Sequence, residues 1–153
     1  MAENEFGTVT SSSASLPPGW VEQTQIMLNS YRHWTSRELI PRIGSAEQQA
    51  ISLDRAPFAV VSHGTQADPI LNYGNQTALS LWEMSVEKLT QTPSRLTAEP
   101  MHREERARLM ERTTREGYVD DYQGIRISST GRRFRIDQAT VWNLLDSSGQ
   151  LVG

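Results

Sequence analysis

Few side chains in this sequence are able to do chemistry, and their spacing brings little of it together. His33, His63 and His102 are too scattered for a metal site, whose ligands come in closely spaced pairs. His33, beside Trp34, reads as a helix-surface residue and His63 as a turn residue closing a strand. His102 reads as an exposed residue in the first turn of a charged helix. Asp120 and Asp121 are adjacent on a strand, so they point to opposite faces and make no acid–base pair. Asp137 and Asp146 fit turn positions. The cationic side chains are more suggestive. Arg132, Arg133 and Arg135, with Arg126 across a hairpin, form a basic patch beside Phe134. A phosphate or acidic partner is its sharper reading, and a solvated sheet face is the one expected here. In the loop before the charged helix, Arg95 could clamp a ligand carboxylate bidentately or pair with Glu99; bracing of the loop is expected. There is no cysteine, which removes disulfides, thiolate metal sites, cysteine nucleophiles and cysteine photoadducts together. Nothing in this set composes a catalytic pair, and no enzymatic activity is expected.

The chain has 153 residues, 37% of them hydrophobic, enough for one domain with a real core. A net charge of -3, from 15 basic and 18 acidic residues, gives no overall pull toward nucleic acid or membrane. No apolar run approaches the roughly 18 residues of a membrane helix, and the amino terminus lacks the apolar centre of a signal peptide. A cytoplasmic location is expected.

The elements that must position these side chains follow from periodicity. Residues 1–16, rich in Ser, Thr, Gly and Glu, read as a disordered tail, and residues 17–56 as a helical extension. Trp20, Thr24, Met27, Tyr31 and Trp34 recur at helical spacing and predict an amphipathic helix from Trp20 to about Leu39, stopped by Pro41 and Gly44. Ser45 with Gln48 resembles a capping box opening a second helix. The main domain is expected over 57–153. It begins with strands at Pro57–Gly64 and Ile70–Tyr73. Asn75 caps a helix carrying Leu79, Trp82, Val86 and Leu89, with an interruption at Ser85 or Thr90. Pro100 opens a further helix ending at Gly117. The strongest pattern is Gly117 to Gly149. There Ile125 and Ile127 alternate with Arg126 and Ser128, Gly131 supplies a turn, and the return strand runs through Phe134 to Leu145. Helices inserted between two pairs of antiparallel strands make an α+β sheet with helices on one face and an N-terminal helical extension.

Residues 72–84 (NYGNQTALSLWEM) resemble the second strand, turn and helix of a PAS domain. With residues 89–100 (LTQTPSRLTAEP), the Arg103-Glu104-Glu105-Arg106 run and residues 124–134 (GIRISSTGRRF), the chain resembles the MEKHLA domain over about Trp20 to Gly149. That PAS-like domain is found alone in algae and bacteria and at the carboxyl end of class III homeodomain-leucine zipper proteins. This sequence shows no homeodomain and no zipper heptad, so the resemblance carries over no DNA binding, and no nucleic-acid partner is expected.

What the resemblance implies is a sensory or protein-interaction module without catalysis. A small molecule would bind between helices and sheet, lined from Leu71, Tyr73, Leu79, Trp82, Ile127, Phe134 and Trp142. The alternative is an enzyme or cofactor carrier using the same pocket. No cofactor is expected: a photoactive flavin domain of this kind needs a cysteine, and His102 sits poorly for a haem ligand. Such domains commonly dimerise through an amino-terminal helix, which makes Trp20, Met27, Tyr31 and Trp34 the interface candidates for a homodimer or a protein partner. The resemblance also implies five strands, the last lying between the first and the fourth. After the turn at Asp146–Gly149 only residues 150–153 follow, about 13 Å of extended chain against roughly 17–20 Å for an average strand. A truncated last strand is therefore expected, leaving the first and fourth strands facing each other across a gap.

Overall fold

The computed structural model describes residues 16–153, so the tail expected over residues 1–16 lies, apart from Leu16, outside the described residues. Helix α1 (Trp20–Thr35) forms on the aromatic stripe but ends before Leu39. Ser36 turns to a positive φ of 58° and returns its N–H to the Arg32 carbonyl at 2.9 Å, which closes the helix without Pro41 or Gly44. Helix α2 (Ala46–Asp54) opens on the capping box. Ser45 Oγ accepts the Gln48 N–H at 3.2 Å, and the Gln48 side chain accepts the Ser45 N–H at 2.7 Å.

Strands β1 (Val61–His63) and β2 (Leu71–Gly74) form a short antiparallel pair. Strand β1 is shorter than its apolar run because a side chain takes the bonds a longer strand would make. The carboxamide of Asn75 is fully buried. Its oxygen accepts from the N–H groups of Val60 (2.9 Å) and Ala78 (3.1 Å), and its nitrogen donates to the carbonyls of Leu53 (3.0 Å) and Phe58 (2.9 Å). Both lone pairs and both amide hydrogens are used. One residue thus ties the end of α2, the approach to β1 and the start of the next helix.

Helices α3 (Gln76–Trp82) and α4 (Val86–Leu89) are separate, broken where Ser85 caps α4 through the Lys88 N–H. A 3-10 turn (Ser94–Thr97) leads to helix α5 (Pro100–Glu116). Gly117, at φ 93°, ends α5 where a Cβ would collide with the Trp34 ring. Strands β3 (Tyr118–Ile127) and β4 (Arg133–Trp142) form the expected long hairpin, its register interrupted near Gln138, which sits at φ 46°.

Among the described residues the strands make two antiparallel ladders, β1–β2 and β3–β4, with no pairing between them. Residues 150–153 fold back along 144–146, with Val152 N–H to Leu144 O at 2.8 Å and Leu144 N–H to Gly153 O at 3.0 Å. Gly153 lies against the His63 carbonyl, so this run points into the space between β1 and β4.

Both faces of the strands are covered. On β4, Trp142 meets Tyr31 of α1 edge to face, ring centroids 5.2 Å apart. Phe134 meets Trp82 of α3 the same way at 5.0 Å. Side chains alternate along a strand, and the irregularity near Gln138 shifts the parity, so Trp142 and Phe134 point to opposite sides. The helical extension takes the outer face and α3–α5 the inner one. The main core lies on the outer side, where Trp20, Met27, Leu28, Leu53, Tyr73 and Leu144 pack together.

Candidate functional site

The inner face and the space between the ladders enclose a cavity of about 500 Å³. Its helical wall is Trp82, Arg106 and Leu109, and its sheet wall includes Leu71, Tyr122 and Arg126. It continues between β1 and β4, past Val61, His63, Thr140 and Trp142, to reach Met27 and Leu39 on the outer side. The opening therefore passes through the plane of the sheet. Along its edges, β1 and β4 make no ladder with each other among the described residues. Asn143 donates to Gly117 of the β3 side and Leu144 to Gly153, so by alternation the amides of Trp142 and Thr140 face the slot.

Of the residues expected to line a pocket, Leu71, Trp82 and Trp142 reach this cavity. Trp142 does so from the outer side. It is half-buried, gives its indole N–H to the Met27 carbonyl at 3.2 Å and belongs mainly to the outer packing. Tyr73 is buried against Trp20, with rings 4.5 Å apart, and does not line the cavity. Phe134 backs Trp82 from behind, and Leu79 and Ile127 are not on the wall. For Ile127 the reason is parity. Arg126 faces inward, so its neighbours Ile125 and Ile127 face outward, beyond the reach of α1.

The reversal at Arg126 is the largest departure from the sequence pattern. Alternation predicts Ile125 in and Arg126 out, yet Ile125 is 36% exposed and Arg126 only 6%. The basic patch expected around Phe134 dissolves accordingly. Arg133 chelates Glu99 through bonds of 2.6 and 3.0 Å, and Arg135 lies 3.8 Å from Asp137. Arg132 lies 3.6 Å from Glu83 and over the Phe134 ring. Glu83 also accepts from the hydroxyls of Ser128 (2.6 Å) and Thr130, which latches the β3–β4 turn onto the end of α3. The hydroxyl bonds, with Arg132 nearby, hold the Glu83 carboxyl below the usual range. The Arg95–Glu99 clamp is likewise not formed. Arg95 bonds Asp68 at 3.2 Å, because Glu99 is committed to Arg133, whose bonds hold its carboxyl low.

The interface candidates turn inward. Trp20, Met27 and Tyr31 are buried against their own sheet, and Trp34 covers Gly117 while donating to the Asn143 carbonyl at 3.0 Å. A dimer through these residues would require α1 to leave its sheet, so the stripe is not a free surface. Of the histidines, His33 is exposed beside Trp34 and His102 lies in the first turn of α5. His63 lines the cavity, with Nδ1 2.8 Å from the Gly64 carbonyl, and burial pushes its pKa down. Among the described residues no group of three or more His, Asp or Glu side chains could hold a metal. No helix among them is long and apolar enough to cross a membrane.

Sequence reasoning missed the two arginines at the cavity. Arg106 stood only in the run that carries the family resemblance, and Arg126 in a basic patch on a solvated face. A signal was available for Arg106: it falls three residues before Leu109 and seven before Thr113, on the buried side of α5.

The family model of the MEKHLA domain matches residues 21–153. No curated protein matches the sequence significantly. Among solved structures, the chain is similar to the PAS domain of a protein from Colwellia psychrerythraea. That match has a TM-score of 0.61 at 18% identity, covering 70% of this chain and 88% of that one. It is also similar to the blue-light photoreceptor Vivid in its photo-excited state, with a TM-score of 0.52 at 12% identity, covering 81% and 88%. These likenesses are of fold.

Proposed function

Since this chain belongs to the MEKHLA family of PAS-like domains, we propose that it is a non-catalytic, cytoplasmic sensory module whose inner cavity takes a small molecule. The observation that carries this reading is the cavity itself. At about 500 Å³ it falls within the range of ligand sites, and its wall is mostly apolar with a few polar groups. The alternative of an enzyme in the same pocket would need converging acid and base groups; His63 and Asp137 both line the wall, but Asp137 lies beside Arg135 and no hydrogen bond joins it to His63 among the described residues. The test is to screen the purified protein against a metabolite library by thermal shift, with an absorbance spectrum of the protein as isolated. Stabilisation by one chemical class is the expected result. A melting temperature that no compound moves, with a protein-only spectrum, would overturn the reading.

A second reading concerns partners and rests on the slot. The edges of β1 and β4, which do not pair with each other among the described residues, are a template for an extended segment, which would bond to both and close the cavity wall. A protein partner would then engage through this slot rather than through the α1 stripe. A peptide of alternating apolar residues should raise the melting temperature, and a scrambled peptide with consecutive charges should not. Equal effects from both would remove the slot as a docking site.

A further inference from the structure

Arg106 and Arg126 meet in the cavity from opposite walls, one on α5 and one on β3. Each guanidinium carries five N–H donors. Among the described residues, Arg126 finds one acceptor, the Ile125 carbonyl at 3.1 Å, and stacks on the Tyr122 ring at 5.3 Å. Arg106 finds one, the Ser94 hydroxyl. Neither has a carboxylate at ion-pair distance among the described residues. Asp68 is held by Arg95, and Glu105 accepts from the Tyr122 hydroxyl. A third donor stands at the same wall: the indole N–H of Trp82 is buried with no partner among the described residues. Two cations facing one another repel. Burial, then the Arg126 charge, pushes the Arg106 pKa down. A fold that placed these residues for stability alone would put the apolar Ile125 inward and Arg126 outward. It does the reverse.

We propose that the cavity binds a small organic oxyanion, its carboxylate or phosphate held between Arg106 and Arg126 and its apolar body lying against Leu71, Leu109 and Trp82. The inference rests on the small-molecule reading above and narrows it. An oxyanion supplies what the site lacks, since it neutralises both guanidiniums and accepts several hydrogen bonds at once. The planar fork of arginine suits both anion types, so the recognised chemistry is shared and the source is decided by titration.

The experiment is isothermal titration with four probes of one apolar body: 2-naphthoate, 2-naphthyl phosphate, neutral 2-naphthamide and neutral 2-naphthol. At least one anion should bind ten-fold or more tighter than both neutral probes, and the better of the two anions identifies the group. Arg126→Met and Arg106→Met should each remove most of that preference and leave binding of the neutral probes within about two-fold. Far-UV circular dichroism confirms that each variant is folded, and either folded variant suffices. Neutral probes binding as tightly as the anions would overturn the oxyanion site and leave the cavity reading standing. An anion preference that survives both substitutions would overturn the assignment to these arginines. No binding by any probe would count against the oxyanion site, while the library screen decides the broader reading separately.

Discussion

The two faces of the strands are built on different terms. On the outer face, α1 and α2 bring Met27, Leu28 and Leu53 into close packing with Leu144, all nearly inaccessible. Most polar groups there are spent, with Asn75 making four bonds and Ser30 bonding across to the backbone of Leu145, and the buried Tyr73 hydroxyl is an exception without a partner among the described residues. On the inner face, the strands border a cavity and carry two guanidiniums with one acceptor each and an indole N–H with none among the described residues. Buried donors without acceptors cost stability, so the inner face sacrifices it where the outer face accumulates it. That division suits a module held rigid on one side and receptive on the other.

The comparison breaks most readily at Asn75. Asn75→Ala would strand the Val60 N–H and the Phe58 carbonyl, at about 1–3 kcal/mol each, and remove the α3 cap, while the Leu53 carbonyl keeps the Ala56 N–H. A loss of about 4 kcal/mol is expected in chemical denaturation. A loss below about 1 kcal/mol would mean that water replaces the carboxamide freely and that the outer side is less tightly built than its contacts imply.

Arg126→Met tests the inner face with the opposite sign. Replacing a buried, unpaired cation by an apolar side chain of similar length should leave the ligand-free protein as stable or more so, by about 1–2 kcal/mol. A clear destabilisation would show that the Tyr122 stacking and the carbonyl bond already satisfy the guanidinium.

The smallest effect lies at a flaw in the outer layer. Asp54, at the end of α2, is buried, and desolvation raises its pKa above the usual carboxylate value despite the bond from Gln76 at 3.2 Å. A folded-state pKa above the unfolded one means that the folded protein holds the proton more tightly. The contribution to stability is then fully present below pH 3.8 and is lost as pH rises through the raised value. Subtracting the stability of Asp54→Asn from that of the wild type across pH 3–7 should give a curve that falls with pH. A flat or rising difference would place the carboxylate in better solvation than its burial implies.

Much of this organisation was legible beforehand, because it rests on local chemistry. The capping box at Ser45, the break at Ser85, and the bounds of α5 between Pro100 and Gly117 follow from residues that satisfy or end a helix wherever it lies. The β3–β4 hairpin follows from its alternation and from Gly131, and the antiparallel α+β class from the order of the elements. The pairing of the loop charges was not legible, since Arg95 and Glu99 are neighbours in sequence while their partners, Asp68 and Arg133, come from elsewhere in the chain.

Least legible was which side of β3 would be covered. Alternation fixes that Ile125 and Arg126 face opposite ways, but a period of two carries no sign. The sign was decided in three dimensions, where α5 crosses the inner face near Arg126 while α1 spends its length on β1, β2 and the far end of β4. Periodicity is a property of the strand alone, whereas burial depends on where another element comes to rest, and that placement turned a surface arginine into the floor of a cavity.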